Sequence, residues 1–107
     1  EIYTNFLIGN YQKGDWKLLK SIAEKAKNYD VIESLAISYI DIYKANQTKE
    51  CKEPLEVIYE KMNCGLHRTT LVKILIDNNV LSDKIRSEIQ FDSEDGTRKL
   101  FEAISEN

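Results

Sequence analysis

Apolar residues recur three and four positions apart through almost the whole chain, and hardly anywhere do they alternate with polar ones. That spacing predicts helix throughout and no strand. The first stretch, "IYTNFLIGNYQ", places Ile2, Phe6 and Gly9 on one face and stops before Gly14, which reads as a C-terminal cap. Asp15 is then expected to cap "WKLLKSIAEKAKN", whose inner face is Trp16, Leu19, Ala23 and Ala26 with Leu18 and Ile22 beside them. Asp30 is expected to cap "VIESLAISYIDIYKAN", which is apolar around most of its circumference and so belongs in the middle of the fold.

"QTKECK" is the longest polar loop, and Pro54 follows it where a helix tolerates proline, in a first turn. The fourth helix, "EPLEVIYEKMN", points Leu55, Ile58, Tyr59 and Met62 inward, shows Glu53, Glu56 and Glu60 outward, and is expected to end at Gly65. The fifth, "HRTTLVKILIDN", buries Leu71, Val72, Leu75 and Ile76 and closes at Asn78 and Asn79. Ser82 caps a short sixth, "DKIRSEIQF", with Ile85 and Ile89 in register, and the seventh, "TRKLFEAIS", turns Leu100, Phe101 and Ile104 inward. Seven short helices in 107 residues make one all-α domain, either a compact orthogonal bundle or antiparallel pairs stacked as a solenoid. A shift of 53 residues lays "LLKSIAE" on "LVKILID" and Asp30, Ile32 and Ser34 on Asp83, Ile85 and Ser87, the pattern of a duplicated helix pair.

Composition narrows the function classes. The chain is 42% hydrophobic and 31% charged with four glycines and one proline, which is globular and able to fold alone. Its formal charge is -3, so its overall field disfavours a nucleic-acid backbone and favours a basic protein as partner. The lysines at 13, 17, 20, 25 and 27 are interleaved with acids, as on a solvated surface; a small nucleic-acid-binding regulator using them is the alternative from another class. No apolar run approaches the length of about 18 residues that would span a bilayer, so no membrane role is expected. Cys51 and Cys64 would stand roughly 20 Å apart along an intervening helix, too far for a disulfide, and reduced thiols fit a cytoplasmic location.

The one concentration of chemistry is "FDSEDGTRKLF", residues 91 to 101. As a calcium loop with Gly96 sixth and Glu102 twelfth, it would put Phe91, which has no oxygen to give, at the first ligand place. Asp92, Glu94 and Asp95 lie in a turn where solvent keeps their environments alike, unlike a catalytic carboxylate pair. Capping by Asp92 or Ser93, with the following acids complementing the helix dipole, is the simplest reading. A lone His67, a Cys64/His67 pair without an orienting third group, and four scattered glycines point to no catalytic, metal or phosphate site. No enzyme activity and no cofactor are therefore expected.

The run from Asp92 through Arg98 to Leu100, Phe101, Ala103 and Ile104 resembles the turn and second helix of a HEAT-type repeat, over residues 67 to 105 at most. Thr97 stands where that family commonly has valine, and Leu100 and Phe101 replace small alanines. The resemblance implies that Asp92 fixes the turn and that Arg98 ties neighbouring repeats. In size, acidity and richness in Lys, Ile and Asn the chain is also similar to bacterial immunity proteins, those of contact-dependent growth inhibition among them. That likeness implies a non-enzymatic module that neutralises a cognate toxin, many such toxins being basic nucleases, through complementary charge. The surface expected for it is Glu53, Glu56 and Glu60 together with Asp92, Glu94 and Asp95. A HEAT-like scaffold, or a phage-type inhibitor of another host protein, is the alternative within the same class.

Overall fold

The computed structural model describes the backbone of residues 2–106 and the side chains of residues 4–106. Among the described residues it holds seven α-helices and no strand: α1 (Ile2–Phe6), α2 (Trp16–Lys25), α3 (Tyr29–Ala45), α4 (Lys52–Lys61), α5 (Gly65–Asp77), α6 (Asp83–Ile89) and α7 (Asp95–Ser105). A 3-10 turn, Lys49–Cys51, leads into α4 inside the expected polar loop, and Thr48 caps it by accepting from the Glu50 N–H.

Polar links between helices fix how they run. The Ser38 hydroxyl of α3 donates to Thr4 Oγ1 at 2.9 Å and Asn5 Oδ1 at 2.8 Å, and further along α3 Asn46 Nδ2 reaches the Ile8 carbonyl at 3.0 Å. Both chains ascend together, so α1 is parallel to α3. Glu33 meets His67 near the starts of α3 and α5, while Lys44 and Ile74 line one pocket near their ends. Gly65 lies against Glu94, and further on Thr69 shares a hydrogen bond with Thr97 and lines a pocket with Leu100. Thus α1, α3, α5 and α7 form one parallel layer. In the other, Lys20 of α2 pairs with Glu53 early in α4, and Lys61 at the end of α4 reaches the end of α2. Links from Glu60 to Lys84 and from Tyr59 to Glu88 add α6. The thinnest dimension, 18 Å across Cα atoms, fits two layers spaced at the usual helix packing distance of about 10 Å. The fold is therefore an all-α bundle in which helix pairs stack in two layers.

The core runs between the layers as a single cluster. From α3 it takes Ile32, Leu35, Ala36, Tyr39, Ile40, Ile42 and Tyr43, which makes this helix central as its all-round apolarity requires. Leu55, Ile58, Tyr59 and Met62 are buried from α4, Leu71, Val72 and Leu75 from α5, and Ile85 and Ile89 from α6. Ile76, Leu100, Phe101 and Ile104 are half-buried against the cluster.

Several local expectations need correction. Phe6 is exposed, and α1 turns Thr4 and Leu7 inward instead; Ile2 lies outside the described side chains. A five-residue helix is too short for a two-turn stripe, so the residue just past its end supplies the apolar contact. Leu18 is exposed as well. Asp15 makes no cap bond to α2; its carboxylate accepts from the Gln12 N–H at 2.7 Å and closes the turn around Gly14, whose φ of +95° is open to glycine without strain. The cap of α3 is Asn28, which accepts from the Asp30 and Val31 N–H groups, leaving Asp30 as an acid in the first turn. Gly65 does not end α4 but starts α5, where a side chain would collide with Glu94: a Cβ there would stand 2.9 Å from the Glu94 Cβ.

The spatial repeat also differs from the 53-residue echo. That echo lays α2 on α5, helices of opposite layers. The steps from Trp16 to Lys52 and from Tyr29 to Gly65 are both 36 residues, and this shift superimposes Leu19 on Leu55, Lys25 on Lys61 and Leu35 on Leu71. Both leucine pairs are fully buried.

Candidate interaction surface

Parallel layers bring alternate connections together. The α2–α3, α4–α5 and α6–α7 turns share one edge of the stack, and two cationic side chains tie them. Lys61 Nζ donates to three carbonyls at the end of α2: Ala23 and Glu24 at 2.8 Å and Ala26 at 2.9 Å. All three ammonium hydrogens are used, on the groups that a helix end leaves without partners. Arg68 continues the chain of links. Its Nη1 donates to the Met62 and Asn63 carbonyls, and its Nε and Nη2 form a two-pronged pair with Asp92, each at 2.9 Å. Asp92 Oδ1 also accepts from the Glu94 N–H at 2.8 Å. The Arg68 guanidinium and this backbone bond hold the Asp92 carboxyl below the usual carboxylate range.

The opposite edge is tied by a carboxylate. Glu50 accepts from Tyr11 Oη at 2.8 Å and from the Gly14 N–H, joining the α1–α2 and α3–α4 turns, and the Tyr11 and Tyr43 hydroxyls lie 3.1 Å apart. Burial pushes both phenols well above their ordinary range.

The six expected contact residues fall into two groups. Glu53, Glu56 and Glu60 share a stripe of α4, each paired with a lysine: Lys20 of α2 at 3.0 Å, Lys52 at 2.8 Å and Lys84 of α6 at 3.2 Å. That stripe is a ladder of ion pairs across one layer, with its charge answered inside the molecule. In the second group Asp92 is only 7% exposed and engaged with Arg68, so it builds the turn instead of offering charge. Asp95 pairs with Arg98 and Lys99 in its own helix. Glu94 packs over Gly65 at the start of α5 and forms no ion pair among the described residues. The aspartate therefore does fix a turn, but Arg98 bonds within that turn, to the Asp92 carbonyl and to Asp95, and it is Arg68 that crosses between pairs.

Sequence reasoning missed the apolar part of this edge. Of the seven large hydrophobic residues exposed among those described, four lie on it: Tyr29 and Val31 in the first turn of α3, Leu66 in that of α5, and Phe91 in the α6–α7 turn. Leu66 is 69% and Phe91 81% exposed, flanking the Arg68–Asp92 pair in sequence. Lys25 and Lys27 stand exposed at the α2–α3 turn together with Glu24 and Asp30, whereas Glu88 and Glu94 stand beside Phe91 in sequence at the far end. The signal for it was present in Phe91 itself, an apolar residue inside the acidic joint, but its exposure depends on the turn geometry.

Other groups with chemical potential sit apart. Cys51 is buried and its thiol is pushed up to about 11 by that burial; Cys64 is half-buried, and both are free. Glu33 Oε1 lies 3.9 Å from His67 Nδ1, so an acid does stand beside the histidine. Among the described residues no three His, Cys, Asp or Glu side chains converge as they would around a metal ion, and no helix is long and apolar enough to cross a membrane. No protein-family model, curated protein or solved structure matches the chain.

Proposed function

We propose that the protein is a non-enzymatic protein-binding module that grips a basic partner with the Leu66 and Phe91 end of its turn edge. The observation that carries this reading is the position of two strongly exposed apolar side chains, Leu66 in the first turn of α5 and Phe91 in the α6–α7 turn, on elements tied together by the Arg68–Asp92 pair and beside Glu94, which forms no ion pair among the described residues. Aromatic side chains desolvated at the centre of a contact carry most of its free energy, while charge around them governs encounter rate and partner choice. A rigid presenting turn lowers the ordering cost of binding. Glu94 is the acid that meets the partner first, with Asp95 and Glu88 around it.

An immunity protein that neutralises a cognate toxin domain is the concrete form of this module, supported by its size and negative charge. The stacked pairs also support the HEAT-like reading, under which the same edge would serve a scaffold. Mixing the protein with a cognate toxin domain should yield a stoichiometric complex whose association slows as salt rises. Phe91→Ser and Leu66→Ser should each weaken it by at least about tenfold, the effect of losing a hot-spot side chain. Unchanged affinity in both variants would refute the assignment of this edge.

A further inference from the structure

His67 Nδ1 is the one buried side-chain nitrogen or oxygen without a hydrogen-bond partner among the described residues. Interiors rarely leave such an atom unanswered, and an orphan calls for a physical reason. The imidazole lies between the first turns of α3 and α5, and the nearest acid is Glu33 Oε1, at 3.9 Å. That distance is too long for a hydrogen bond and short enough that a small side-chain rotation would make one. The neutral ring with its proton on Nε2 presents a lone pair to the carboxylate. The protonated ring presents an N–H and a positive charge instead.

We propose that His67 and Glu33 form a proton-operated latch that pins α5 to α3 on acidification. Tyr29 of α3 senses Glu33 and Asp30 on its own helix, and Arg68 of α5 and Cys64 just before it, so these groups meet where the two helices start. Arg68 is the one cation among them, and its charge is answered by Asp92 from the α6–α7 turn. Glu94 of that turn packs against Gly65, two residues before His67. Glu33 is the one acid within 4 Å of the imidazole among the described residues, and a proton on Nδ1 turns their contact from lone pair against carboxylate into an attraction. Closing the latch also cancels one negative charge midway along the turn edge, so acidification loosens the grip on a basic partner. This consequence, unlike the latch, rests on the binding role proposed above.

The test uses the free protein, which keeps it separate from any partner. Glu33→Gln, His67→Gln and the double variant form a mutant cycle whose urea midpoints are read at about pH 5.5 and about pH 8, on either side of the ordinary histidine range. The coupling between the two positions should be plain at the lower pH and vanish at the higher. Because the chain has a single histidine, its imidazole nitrogens can also be followed without assignment by nitrogen NMR. A proton should appear on Nδ1 as the ring charges. Equal coupling at both pH values would mean that the neutral ring already serves Glu33. That result, or no coupling at either pH, would overturn the latch, and neither bears on the Phe91 and Leu66 experiment.

Discussion

Replacing Lys61 by methionine removes the ammonium that closes α2 while keeping most of the stem that packs beside it. In the wild type this group donates to three carbonyls within 2.9 Å at the end of a helix that otherwise has a single cap bond, from the Ala26 N–H to the Ala23 carbonyl. A cation at a partly buried helix C-terminus is worth up to about 2 kcal/mol. Leaving part-buried carbonyls without a partner costs about 1 kcal/mol more, reduced where water can reach the Glu24 carbonyl. The net loss should be about 2 kcal/mol, or a drop in Tm of roughly 10 °C for a domain of this size. Urea unfolding followed by circular dichroism measures the loss, and amide exchange at the α2–α3 turn locates it. Lys61→Arg should recover only part, because a planar guanidinium cannot aim three N–H groups at three carbonyls around one point. Lys20→Met, which breaks an exposed pair on the same layer, should leave the urea midpoint nearly unchanged. A Lys61→Met protein within about 0.5 kcal/mol of wild type, the ordinary range for surface changes, would refute the argument that this cap matters.

Three further outcomes follow from the packing. Asp92→Asn should cost about 2 to 3 kcal/mol, since it leaves the largely buried Arg68 charge without its partner. Because the Asp92 carboxyl is held below its ordinary range, its contribution is present above pH 4 and is lost as pH falls through the depressed value. Wild type and Asp92→Asn should therefore converge in stability under acid, which urea titrations at stepped pH would show. Gly65→Ala should destabilise by about 1 kcal/mol through the clash with Glu94, whereas Gly9→Ala, with nothing within 4 Å, should not; equal urea midpoints for the two variants would count against the contact. In a spectrophotometric titration of the native protein to about pH 11, Tyr11, Tyr39, Tyr43 and Tyr59 should stay protonated, since burial raises all four above the usual range near 10, and urea should release them.

The helical faces were legible because periodicity reports directly on burial: Leu55, Ile58, Tyr59 and Met62 all lie inside as their spacing requires. Terminators with one physical meaning were legible too. Asn79 takes φ +63° just past the end of α5, and Ser82 Oγ accepts from the Ile85 N–H at the start of α6. Ambiguous ones misled, because aspartate serves equally as a cap or as a first-turn acid, and Asn28 outcompetes Asp30 from two positions upstream. Glycine at 65 is there for close approach to Glu94 and not for chain reversal. The 36-residue step was present in the letters, but its matches fall on helical contact positions separated by variable surface residues, which a search for contiguous identity passes over. The candidate surface was half legible. Composition pointed to acid, yet which acids are free depends on where Lys20, Lys84 and Arg68 come to rest, and those are matters of tertiary contact.

Within each layer the stack ties every pair mainly to its neighbours, so cohesion is handed along from one to the next and can be withdrawn in the same order. The terminal pair is the thinnest link: among the residues of α7 only Thr97 is fully buried, and α6 contributes Ile85 and Ile89. Opening should therefore start there, as a zipper starts at its free end, with α3 the last to let go. The Arg68–Asp92 pair is the rivet that resists this opening, and an occupant fastened to Phe91 beside it would hold the last pair shut.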